Sequence, residues 1–205
     1  DILSEDNLTE EERDALEQRK TDLTEKLDNI KTAEDRKNAV EETVNALPET
    51  GKVTSENKDD IEKALEVIDE LLSEENVGNL TSEEKATVEE QKADLTEKLE
   101  NIEKAEERME AVEDTVTSLP NANEVTSEDK EDIKEALDII DDLLKDDNIG
   151  NLTDDEIEEI NNQKSELKEK LDKIEAAEEK MQDVNETVNK LPEANKVTSE
   201  EEEDI

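Results

Sequence analysis

The stretch at residues 81–118, TSEEKATVEEQKADLTEKLENIEKAEERMEAVEDTVTS, decides the fold. It contains neither Gly nor Pro, and aliphatic residues recur along it at helical spacing. Val88, Leu95, Ile102, Met109 and Val116 stand seven apart, with Leu99, Ala105, Val112 and Leu119 widening the stripe. That period predicts one long amphipathic helix. It opens on a capping box, Thr81 three residues before Glu84, in which each residue satisfies the other's exposed amide. Leu99 to Ala105 is a step of six where seven is expected. The apolar stripe therefore shifts mid-helix, as in a helix that hands its face from one bundle to the next.

The same pattern occurs three times. Leu-Pro recurs at 47–48, 119–120 and 191–192, so that 119 − 47 and 191 − 119 give the same period, 72, with no gap. Val-Thr-Ser-Glu returns at 53–56, 125–128 and 197–200, and Asn-Leu-Thr at 7–9, 79–81 and 151–153. The Thr/Glu box recurs as Thr9/Glu12 and Thr153/Glu156, the last flanked by Leu152 and Ile157 like a hydrophobic staple. Gly51, Gly78, Gly150 and the three Pro all fall outside the periodic segments. Both residues are costly in helix interiors, Pro by roughly 3 kcal/mol. They mark two loops per repeat and leave two helical stretches, one long and one short.

The short stretch, residues 55–73, carries Ile61, Leu65, Ile68 and Leu72, with Ala64 and Leu71 alongside. Thr54 or Ser55 is its expected N-cap. Its counterpart at 127–145 carries Ile133, Leu137, Ile140 and Leu144, and residues 198–205 would begin a third copy. Thirty-eight helical residues span about 57 Å, and a short helix about 27 Å. One long helix therefore matches two short ones. The expected fold is all-α: tandem three-helix bundles with a 72-residue repeat, sharing long continuous helices in an elongated rod. Residues 1–28 form a partial repeat, 29–100 the first bundle, 101–172 the second, and 173–205 a partial third. Ile102, Met109, Val112, Val116, Ile133, Leu137, Ile140, Leu143, Leu144, Ile157, Ile160, Leu167 and Leu171 form the expected second core. The alternative is a break near Asn101 that separates the bundles, although nothing local demands one there.

Composition narrows function. With 25 Lys and Arg against 68 Asp and Glu, the net charge is −43, and aromatic residues, His and Cys are absent. Such a surface repels phosphate, so nucleic acid and anionic membrane are poor partners. No apolar run approaches the roughly 20 residues of a membrane span. Disulfides and nucleophilic triads lack their residues. The chain begins in mid-pattern, so targeting signals are expected outside this fragment.

The segments VTSEDKEDIKEALDIIDDLL (125–144), IEKAEERM (102–109) and LPNANEVT (119–126) resemble tandem three-helix repeats of Gram-positive bacterial surface proteins, FIVAR-like modules. The helix-sharing connectivity resembles spectrin, with a shorter repeat. Ile68 and Ile140 stand where such repeats often carry Tyr. The resemblance implies a structural spacer or stalk on the cell surface, attached to the cell wall, projecting a functional head. Its partners would be neighbouring repeats of the same chain. The alternative is a helical module binding a host protein such as immunoglobulin, albumin or extracellular matrix.

Motifs that could carry chemistry read as structure. LPETG at 47–51 matches a sortase sorting signal but precedes a long acidic chain rather than a hydrophobic segment and basic tail. Asn7, Asn79, Asn151 and Asn185 begin Asn-x-Thr sequons, the first three explained by capping. The loop from Lys145 to Gly150 with Glu156 has EF-hand-like spacing, yet Lys145 and Ile149 occupy ligand positions. Paired carboxylates such as Asp141/Asp142 and Glu106/Glu107 read as solvated helix faces, and Met109 and Met181 as core fillers. No catalytic, cofactor-binding or metal residues are expected, and no enzyme.

Overall fold

The computed structural model describes residues 8–191 and residue 196. Within them the protein is all-α, with five α-helices joined by turns and short 3-10 segments and no strand. Helices α1 (Glu10–Ala46), α3 (Ser82–Ser118) and α5 (Asp154–Lys190) are 37 residues long. Helices α2 (Lys58–Leu72) and α4 (Lys130–Leu143) are short. The expected third short stretch, residues 198–205, lies outside the described residues.

Each long helix begins at its capping box. The Thr81 amide donates to Glu84 Oε2 at 2.9 Å while the Glu84 amide donates to Thr81 Oγ1 at 3.2 Å. Thr9 with Glu12 and Thr153 with Glu156 repeat this geometry. Each long helix ends just ahead of a Leu-Pro pair. Leu47 and Leu119 donate their amides to Thr43 and Thr115 at 3.1 Å, and the proline that follows has no donor to continue the ladder. No break occurs at Asn101, which lies inside α3.

The short helices begin three residues later than their sequences suggest. A 3-10 turn, Ser55–Asn57, precedes α2, and the Thr54 amide donates to Asn57 Oδ1 at 3.1 Å. The Thr126 amide makes the equivalent bond to Asp129 Oδ2 at 2.7 Å. These side chains three residues on hold a tight turn closed, and the α-helix starts only after it. At the other end Asn76 Nδ2 donates to Glu70 O at 2.9 Å and Asn148 Nδ2 to Asp142 O at 2.7 Å, satisfying helix-end carbonyls. Gly51 and Gly78 sit in loops at negative φ, and a Cβ on either would meet nothing within 4 Å.

The chain divides into two compact units between Ile102 and Glu103. The first buries Ala33 and Val40 of α1, the loop residue Val53, then Ile61, Ala64, Ile68 and Leu71 of α2, and Val88, Leu95 and Ile102 of α3. The second buries Ala105 and Val112 of α3, Ile133, Ala136, Ile140 and Leu143 of α4, the loop residue Leu152, and Ile160, Leu167 and Ile174 of α5. Nine of the ten residues in each core stand one full repeat from a residue of the other. The remaining pair exchanges loops, Val53 in the first core and Leu152 in the second. Ile102, expected in the second core, packs in the first, because it stands one heptad beyond Leu95 on the same side of α3. Ala105, three residues on and about 60° round the helix, opens the second core. The other expected members of that core are all buried in it or packed against it.

Candidate functional site

The LPETG segment is closed upon itself. Lys52 donates its amide to Glu49 O at 2.7 Å, Thr50–Lys52 forms a 3-10 turn, and Lys98 Nζ reaches Thr50 Oγ1 at 3.5 Å. The segment is an inter-helix turn between α1 and α2 rather than an extended loop.

The remaining motifs are occupied by local structure. Asn151 is buried and Asn79 half-buried, and the Thr81 and Thr153 hydroxyls each accept a capping amide. Asn185 lies on α5, and Asn7 is outside the described residues. In the EF-hand-like loop, Asn148 caps α4, Lys145 pairs with Asp142 at 2.7 Å, and Glu156 closes the capping box. Among the described residues no group of three or more acidic side chains is arranged to hold a metal ion.

Three carboxylates have pKa values lowered by their partners. General acid catalysis needs a carboxyl held protonated near neutral pH. The Lys145 ammonium donates to Asp142 and holds its carboxyl below the usual range, with the Lys145 and Arg108 charges adding to this. Hydrogen bonds from Lys37, then from Thr81, lower Glu84 to about 2. Thr9 lowers Glu12. These groups stay ionised, as partners in caps and ion pairs. Gln91 Oε1 is the one buried side-chain oxygen or nitrogen without a partner among the described residues, and a lone amide oxygen on a half-buried residue makes no site.

The structure does contain a repeated set of polar contacts that the sequence reading missed. Arg36–Glu70 joins α1 to α2, and one repeat further on Arg108–Asp142 joins α3 to α4. Lys92–Asp69 joins α3 to α2, and Lys164–Asp141 repeats it between α5 and α4. Lys98 and Lys170 are buried, their ammonium groups turned back to Asp94 at 2.7 Å and Glu166 at 2.8 Å one helical turn earlier. Stem and ammonium are both covered, at 7% and 3% side-chain exposure, and each charge is met by the more exposed carboxylate. A shift of one repeat applied to charges, not only to aliphatics, would have exposed these pairs. Lys37, paired with Glu84, has no such counterpart, since Met109 stands in its place beside Glu156.

Met109 packs against the second core, but Met181 is 67% exposed, which corrects its expected role as a core filler. No described helix covers that part of α5. Val184 and Val188 are exposed with it, and Leu23, Leu27 and Ile30 are exposed on α1. No helix among the described residues is long and apolar enough to cross a membrane. No protein-family model matches the chain, and no curated protein or solved structure matches it.

Proposed function

We propose that the chain is a spacer segment of a larger bacterial cell-surface protein, built of tandem three-helix bundles that share their long helices. The observation that carries this reading is the transfer of α3 from one core to the other between Ile102 and Ala105 without interruption of the helix. In this reading each repeat advances an extended stalk by about 30 Å. The strict repeat period, the caps that stop and start each helix on schedule, and polar groups committed to caps and ion pairs all support it. So does the charge of −43, which keeps neighbouring stalks apart and weakens in that effect as salt rises. Attachment to a cell wall and projection of a head domain belong to the same proposal, which rests there on the resemblance to Gram-positive surface repeats.

Small-angle scattering tests it. The expected maximum dimension is well above that of a compact globule of 205 residues, and a globular profile removes the stalk. Ile102→Pro then probes the shared helix. It should shorten the particle and uncouple the unfolding of the two units, because proline breaks the helix interior. Unchanged length and cooperativity would mean separate beads. A host-protein ligand is the second reading, favoured by the exposed aliphatics on α1 and α5. Titration against immunoglobulin, albumin and matrix proteins decides it.

A further inference from the structure

The exposed aliphatics of α1 are not scattered. Leu23, Leu27 and Ile30 stand one repeat before Leu95, Leu99 and Ile102, which are buried in or packed on the first core. A second shift by one repeat reaches Leu167, Leu171 and Ile174 of the second core. In both units this face is covered by a short helix and by the C-terminal half of the preceding long helix. Charge repeats with it. Lys92 and Lys164 each pair with an aspartate of the short helix, Asp69 and Asp141. Lys20 is the equivalent lysine on α1, and none of the ion pairs described involves it.

We propose that the N-terminal half of α1 is a docking face for a helical hairpin of this same repeat. The partner has the chemistry of residues 29–72: a long-helix half bearing Ala33, Val40 and Val44, the Leu-Pro turn, and a short helix bearing Ile61, Ile68 and Leu71. Its short helix presents an aspartate to Lys20 in the manner of Asp69. Docking buries Leu23, Leu27 and Ile30 as their counterparts are buried. The proposal rests on the tandem-bundle reading and extends it: the occupant is the hairpin of a preceding repeat, as it is for the equivalent faces of α3 and α5.

The probe is a fluorescent peptide of residues 29–72, titrated into the full chain at moderate salt to limit acidic repulsion. A second form joins a copy of residues 29–78 directly to Asn7, so that the hairpin need not fold unaided. The expected result is saturable binding, or in the joined form an increase of about tenfold or more in hydrogen-exchange protection around Leu23 to Ile30. Leu23→Asp with Ile30→Asp should abolish both effects, and Lys20→Glu should weaken binding by no more than about fivefold, as expected of an exposed ion pair. Absence of both binding and protection overturns the proposal. So does binding that survives the double substitution. If docking fails while scattering shows an extended chain, the stalk reading stands alone. If docking holds in a compact chain, the stalk falls and the face remains.

Discussion

The N-terminal halves of α1 and α3 carry the same instructions and meet different fates. Both start at a Thr/Glu capping box, both run without Gly or Pro, and both present Leu, Leu and Ile at matching positions. Yet Leu95 is fully buried and Leu23 is 66% exposed. The helix itself comes from local sequence: caps, acidic first turns and the absence of breakers. Burial comes from a short helix and a second long helix beside α3, which no described helix supplies to the corresponding part of α1. An apolar stripe thus states what a helix can bury, and only the neighbours decide whether it does.

Truncating the matched leucines breaks this contrast most strongly. Leu95→Ala should cost about 2–5 kcal/mol, the transfer term plus the cavity left behind, whereas Leu23→Ala should stay within about 0.5 kcal/mol. Chemical denaturation of the two variants measures both, and equal costs would mean that α1 is packed in solution. Next come the caps. Thr81→Ala should cost about 1 kcal/mol of global stability, because that helix end is coupled to a core. Thr9→Ala should fray α1 locally, seen as loss of helical ellipticity without a shift in the denaturation midpoint.

The smallest effect lies in acid titration. Glu12 and Glu84 both have lowered pKa values, but Glu84 alone has an ammonium, Lys37, as its largest cause, and falls to about 2. A carboxylate depressed in the folded state adds stability above its unfolded pKa, near 4.5. That stability is lost as pH falls through the folded value. Lys37→Met, which copies the second unit's Met109, should therefore flatten the stability curve of the first unit between about pH 4.5 and 2. NMR titration of Glu84 should show its pKa rising toward the ordinary range.

Much of this architecture was legible in the sequence because its determinants are local or strictly periodic. Capping boxes fixed the starts of the long helices, Leu-Pro fixed their ends, and the seven-residue series found the core. The start of α2 was less legible, because Thr54 and Asn57 close a 3-10 turn as readily as they cap an α-helix. Ile102 was misassigned because it sits one turn from the transfer point, where helical phase distinguishes the two cores by only about 60°. Met181 was misread because its periodicity is that of a core residue, and periodicity carries no information about missing neighbours. The inter-helix pairs were hidden by abundance. With 68 acidic residues, no single Asp draws notice until its lysine is seen across the helix interface.

The two buried lysines give each unit its own chemical clock. Lys98 belongs to the first unit and Lys170 to the second, while Lys26, the equivalent residue on α1, is exposed. An amine-acylating reagent would modify Lys26 at the rate of a free side chain and the other two only when their unit opens. Mass spectrometry of the labelled peptides would then time the opening of the two units separately in one sample, with no probe added to the protein.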